Sequence, residues 1–345
     1  MEVKVRNSSF ELLRILCMIM IVILHTLGHG GALNNLDINS GNFFIAHLLE
    51  SLSIVAVNCY ILISGFFGIN SEFKLKKVVT LYLQVIFYSI SISLIFWVNN
   101  IEKLDLNGIV STVFPITMQT WWFMSVFLVL YLFTPYVNKL LKTISKKDFH
   151  NLLFILILVF IIWPSLPKFR PIDNQGGYSL YSFLLLYIVG AYISLYHKEK
   201  SLNKYTLISI YILSSILLCV FNVTISRIVG YNWGWYSYNF ILIFISSLSL
   251  FLFFKEINIK NTVINKIGSL TLGIYLIHDH VYVRNFIYDA LNYSNNIDNS
   301  FIPYTLIIVI TIFIGCAIIE YLRQFLFNAV KQYRIKLKLK SKVSY

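Results

Sequence analysis

The sequence predicts an all-α, polytopic integral membrane protein with about ten transmembrane helices and both termini cytoplasmic. Three observations carry this reading. Hydrophobic residues make up 58% of the 345 residues and charged residues only 12%. Soluble domains have about 45–50% and about 25%, so this chain has too few polar side chains to cover a soluble surface. Ten apolar stretches approach the roughly 20 residues that a helix needs to cross the hydrocarbon core. The Lys and Arg residues fall unevenly on the loops between them. Disorder is excluded as well, because 28 Phe, 23 Tyr and 6 Trp are too many for a solvated tail.

The expected spans are 10–29, 43–68, 77–98, 121–141, 150–165, 178–197, 204–222, 236–254, 264–287 and 303–327. The fifth is short and the ninth is the least apolar. Together residues 1–330 form one transmembrane domain, followed by a basic cytoplasmic tail at 331–345. With ten spans, 22 of the 28 Lys and Arg residues lie on the side of the termini and four (Lys103, Lys168, Arg170, Arg227) on the other. Positive residues stay inside, which places both ends in the cytoplasm. The net charge of +13 is thereby explained by topogenic loops and contacts with anionic membrane lipids. No nucleic-acid partner is needed to explain it.

The first span interrupts its apolar run with Arg14, and no small-residue cleavage site follows, so it reads as a retained helix and not a signal peptide. Ser8 and Glu11 fit a capping box, which predicts a helix starting at Ser8. Within it, Arg14 and His25 are eleven residues apart. That is about three turns, or about 16 Å along one face. Ionisable groups inside spans are costly and face the bundle interior. Arg14 has two readings, a cation snorkelling to inner phosphates or a buried ligand for a phosphate or carboxylate. His25 also has two, a satisfied interior hydrogen bond or a general base, since an imidazole near pKa 6.5 takes a hydroxyl proton at neutral pH. His29, at the span edge among glycines, reads as a loop residue.

The ninth span carries Tyr275, His278, Asp279, His280 and Arg284. Adjacent residues point different ways on a helix, so at most two of His278, Asp279 and His280 would face one ion with His25, and no metal is expected. Trp122 opens the fourth span, as an interfacial anchor or a substrate contact. Lys74, Lys76 and Lys77 follow the second span as topogenic residues or as phosphate ligands. The four cysteines (Cys17, Cys59, Cys219, Cys316) sit in apolar runs without metal or redox spacing and read as packing residues.

In order along the chain, these residues resemble the membrane-bound acyltransferase 3 family. The match runs through Glu11-Leu12-Leu13-Arg14 with His25, Ser64-Gly65-Phe66, the basic loop, Trp122-Phe123 with Tyr131 and Pro135, Tyr178 to Gly190, and Gly273-Ile274-Tyr275-Leu276-Ile277-His278. It covers nearly the whole chain. The resemblance implies transfer of an acyl group, most often acetyl, from acyl-CoA to a hydroxyl of an extracytoplasmic polysaccharide or glycolipid. It implies His25 as the catalytic histidine and Arg14 as its essential companion. Arg14, Lys76 and Lys77 would meet the CoA phosphates, and Trp122, Tyr275 and His278 would bind the acceptor. The chain departs from many members in two ways. Lys76 and Lys77 stand where arginines are common, and lysine is a poorer bidentate phosphate ligand. No soluble hydrolase-like domain follows the last span, so an acyl relay through one would need another protein.

Richness in Ile, Lys, Asn and Tyr points to the plasma membrane of a low-GC bacterium, with capsule or cell-wall glycan as the acceptor. Homo-oligomers and envelope-biosynthesis partners are left open. The competing class is transport: a flippase, a polymerase of lipid-linked oligosaccharides, or a solute carrier. Such a protein needs no Arg–His pair on one face of its first helix.

Overall fold

The computed structural model describes residues 7–166, 175–197, 202–291, 293 and 297–343, and over these the chain is helical without strands. Lys4, Arg6, Lys168, Arg170, Lys198 and Lys200 of the charge count lie outside the described residues, as do the side chains of the tail from 334 onward. The helices are α1 (Ser8–His29), α2 (Ala32–Asn35), α3 (Gly41–Ser53), α4 (Ala56–Gly68), α5 (Leu75–Val98), α6 (Leu106–Val113), α7 (Trp122–Thr143), α8 (Lys146–Ile157), α9 (Leu180–Tyr196), α10 (Lys204–Val229), α11 (Ile241–Glu256), α12 (Thr262–Gly268), α13 (Thr271–His278), α14 (Val281–Ala290) and α15 (Ile297–Val343).

Among the described residues, seven helical segments are long and apolar enough to cross a membrane: α1, α3 with α4, α5, α7, α8 with its continuation to Ser165, α10, and 300–333 within α15. The sixth and eighth expected spans fall on α9 and α11, of 17 and 16 residues. The ninth is divided among α12, α13 and α14. One break lies at Ser269–Leu270 and the other at Asp279, where the backbone leaves the helical region and the His280 side chain caps α14 by accepting from Tyr282 N. The polar residues that made this span the least apolar are the ones that stop it. α15 is kinked at Ser300, where the backbone leaves the helical region, and continues past residue 330.

α1 starts at Ser8 as predicted, but not through the predicted box. Asn7 is the cap, its side chain accepting from Ser9 N at 3.1 Å. The Ser8 hydroxyl instead exchanges hydrogen bonds with the Asn261 backbone, at 3.2 and 3.0 Å. Ser9 does the same with Ile257 and Ile259, at 2.8 and 3.0 Å. Glu11 turns to Arg14, 2.5 Å away. The two serines thus tie the chain ahead of α12 to the start of α1, a use that local spacing does not encode.

α1 lies at the centre, packed by α3, α4, α11, α12, α13 and α15. Behind it α4 and α9 cross closely. A Cβ on Gly65 would meet the Tyr187 carbonyl, and one on Gly190 would meet the Leu62 carbonyl, so small residues let the backbones touch. Between α3 and α4 the helix breaks at Ile54–Val55. Tyr211 donates to the Leu52 carbonyl at 2.8 Å, which satisfies backbone that lipid would leave bare. Leu83, Ile95, Phe154 and Ile307 point outward from α5, α8 and α15, the apolar exterior that a bilayer solvates.

Candidate active site

The face of α1 bearing Phe10, Arg14, Met18, Ile21, His25 and Gly28 lines one large cavity of about 1120 Å³. These residues recur every three or four positions, so they form a single stripe. From Asn7 to Gly28 the stripe extends about 32 Å at 1.5 Å per residue, comparable to the hydrocarbon thickness. At the basic end the cavity is bordered by Asn7, Lys77 and Ser269, and at the other by His29, Gln119 and Arg284. The seam expected from an eleven-residue spacing therefore faces an interior space and not lipid.

Arg14 sits on this wall with its side chain 29% exposed and paired to Glu11. Its carbonyl accepts from Tyr60 Oη at 2.7 Å. Its guanidinium is thus anchored from one side and open toward the cavity.

His25 is held by a hydrogen-bond order that the geometry dictates. His278 Nδ1 lies 2.6 Å from the Ile274 carbonyl oxygen, which only accepts, so that nitrogen carries the proton. In a neutral ring His278 Nε2 is then bare, and it faces His25 Nδ1 at 3.0 Å. His25 Nδ1 must donate. The lone pair of His25 therefore resides on Nε2, which has no hydrogen-bond partner among the described residues. A ring fixed in this tautomer is set up as a proton acceptor.

Asp279 Oδ1 stands 3.4 Å from His25 Nδ1, 3.5 Å from Arg284 Nη1 and 4.0 Å from His29 Nε2. Ligand atoms of His25, His29 and Asp279 lie within 4.8 Å of one another, spacing that an ion would accept. Arg284 Nη1 is also 3.2 Å from His29 Nε2. A fixed guanidinium already meets the carboxylate there, and a second cation beside it would be repelled.

A family model described as an acyltransferase domain matches residues 7–321. The chain belongs to the acyltransferase 3 family. It is a membrane acyltransferase. No curated protein and no solved structure matches the chain.

On this acyltransferase domain the predicted residues fall in different places. Arg14, His25, Lys77, Trp122 and Tyr275 line the cavity. Lys76 is exposed and off its wall. His278 is 2% exposed and off the cavity wall, with its Nε2 3.0 Å from His25 Nδ1. Tyr275 lines the cavity, but its hydroxyl is buried and makes no hydrogen bond among the described residues. Sequence reasoning passed over Glu50, Tyr236 and Tyr238, which also line it. Glu50 carried a legible signal, since it is an acid inside the second expected span. The two tyrosines gave none. They reach the wall because Asn58 Nδ2 donates to the Tyr238 carbonyl at 2.9 Å and Asn222 Oδ1 accepts from Trp235 N at 2.6 Å.

Proposed function

We propose that this protein transfers an acyl group, most simply acetyl, from acyl-CoA to a hydroxyl of an extracytoplasmic polysaccharide or glycolipid such as capsule or cell-wall glycan, at a bacterial plasma membrane. The observation that supports it is one cavity shared by a guanidinium and an imidazole locked as a base, on one face of α1.

CoA phosphates meet Arg14 and Lys77 at the cytoplasmic end. The Arg14-to-His25 distance of about 16 Å is of the order of an extended pantetheine arm, so the thioester arrives beside the imidazole. His25 Nε2 takes the proton of the acceptor hydroxyl as its oxygen attacks the thioester carbonyl. The tetrahedral intermediate collapses, the carbon–sulfur bond breaks, and the imidazolium returns its proton to the departing thiolate. His278 keeps the ring in its reactive tautomer. Tyr275 and Trp122 orient the acceptor.

The test is transfer from labelled acetyl-CoA in membranes carrying His25→Ala. Loss of about 10²–10⁴-fold is the expected result for a general base, and undiminished transfer overturns it. A conduit for lipid-linked oligosaccharide would share a cavity of this length. It would not bind CoA, so tritiated CoA binding to the purified protein separates the two.

A further inference from the structure

Among the described residues, three polar atoms of cavity-lining side chains are buried without a hydrogen bond: Tyr275 Oη, Asp279 Oδ1 and Glu50 Oε2. Glu50 on α3 is 8% exposed, and its Oε2 is buried without a hydrogen bond among the described residues. A buried carboxyl without a partner is expensive in a membrane domain. Asp279 has Arg284 Nη1 3.5 Å away, whereas Glu50 has no cation beside it among the described residues, and an unsatisfied carboxyl on a cavity wall marks a place for a ligand group.

Around Glu50 the wall is aromatic. The Trp122 and Tyr178 rings stand 4.4 Å apart, Tyr178 and Tyr238 4.9 Å, and Trp122 and Tyr238 5.9 Å. Tyr236 is pinned by His47 Nδ1 at 2.7 Å. Tyr178, Tyr236 and Tyr238 all lie within the electrostatic reach of Glu50. This lobe and His25 line the same cavity. Rings pass from Trp122 to Phe123 at 6.0 Å, to Tyr275 at 6.0 Å and to His278 at 6.2 Å, and His278 holds His25.

The chemistry of such a lobe is specific. Flat aromatic faces take a rigid ring with an apolar C–H face. A few placed polar groups then fix its orientation. A hydroxyl satisfies Glu50 in either protonation form, donating to the carboxylate or accepting from the acid. We propose that Glu50, with Trp122, Tyr178, Tyr236 and Tyr238, forms the acceptor subsite and takes a sugar ring with one hydroxyl on Glu50 Oε2. This rests on the acyl-transfer reading above.

The experiment uses the full chain in cells whose own copy is disrupted, with the native surface glycan as acceptor. Ester-linked acetate on that glycan is measured after mild base release. Tritiated CoA binding is measured on the same variants after purification. Wild type restores acetylation and binds CoA. Glu50→Leu lowers glycan acetylation about 10-fold or more, with CoA binding within about 2-fold. Glu50→Gln, which keeps a hydrogen-bonding oxygen, stays within about 3-fold of wild type. Tyr178→Ala, at a partly exposed ring, gives a loss like that of Glu50→Leu and carries the comparison if the Leu variant fails to accumulate. Unchanged acetylation in Glu50→Leu, or in Tyr178→Ala where that variant stands in for it, overturns the subsite alone. Equal loss in the Gln and Leu variants overturns the hydroxyl assignment, because only a cationic acceptor group needs the charge. A wild type that neither binds CoA nor restores acetylation overturns the acyl-transfer reading, and the subsite with it.

Discussion

The Nε2 of His278 stands 3.0 Å from Nδ1 of His25, and the Ile274 carbonyl decides which of the two donates. Residues on the first and thirteenth helices thus act as one unit, with the free lone pair at its cavity end. His278→Leu should lower kcat by about 10- to 100-fold, part of what removing the base itself costs, while leaving the KM for acetyl-CoA unchanged. His278→Gln retains an acceptor for His25 Nδ1 and should recover much of the rate. Steady-state kinetics in membranes check both, and a KM effect without a kcat effect would show that the pair has no orienting role.

Arg14 is paired to Glu11 at 2.5 Å on the cavity wall. Its loss should weaken donor binding. Arg14→Gln is expected to raise the donor KM by about 10- to 100-fold, the worth of one or two charge-assisted hydrogen bonds, and Arg14→Lys by less. Donor titrations at two salt concentrations measure this, since weaker phosphate attraction also flattens the salt dependence.

The close crossing of α4 and α9 predicts a stability effect away from the site. Gly65→Ala places a methyl group against the Tyr187 carbonyl, and backbone cannot move aside as a flexible side chain does. The cost should be about 1–3 kcal/mol, read as a lower Tm of the detergent-solubilised protein. Gly28→Ala, whose Cβ meets open space, serves as the control.

Glu320 is fully buried on α15, where it receives two bonds from Arg323 at 2.7 Å, one from Gln324 at 2.7 Å and one from the Tyr88 hydroxyl. Glu320→Ala strands a guanidinium whose side chain is only 16% exposed. Breaking such a pair costs about 3–5 kcal/mol. Reduced accumulation in membranes is the expected outcome, and the double variant Glu320→Leu with Arg323→Leu should recover much of it.

By itself the sequence determined the class of solvent, the positions of the long apolar helices and the seam on α1. Transfer of apolar surface into lipid acts residue by residue, and the 3.6-residue repeat places Arg14 and His25 on one stripe wherever the helix sits. It also marked the ninth span as too polar, though not that Asp279 would end α13. Only the tertiary structure decided that the seam faces a cavity, that Asn7 caps α1 while Ser8 and Ser9 bind the 257–261 backbone, and that His278 stands behind His25. It alone surrounded Glu50 with tyrosines from a distant loop. His25 and His278 are 253 residues apart. A contact at that separation depends on how helices cross and not on local spacing, which is why His25 was legible as a candidate and its tautomer was not.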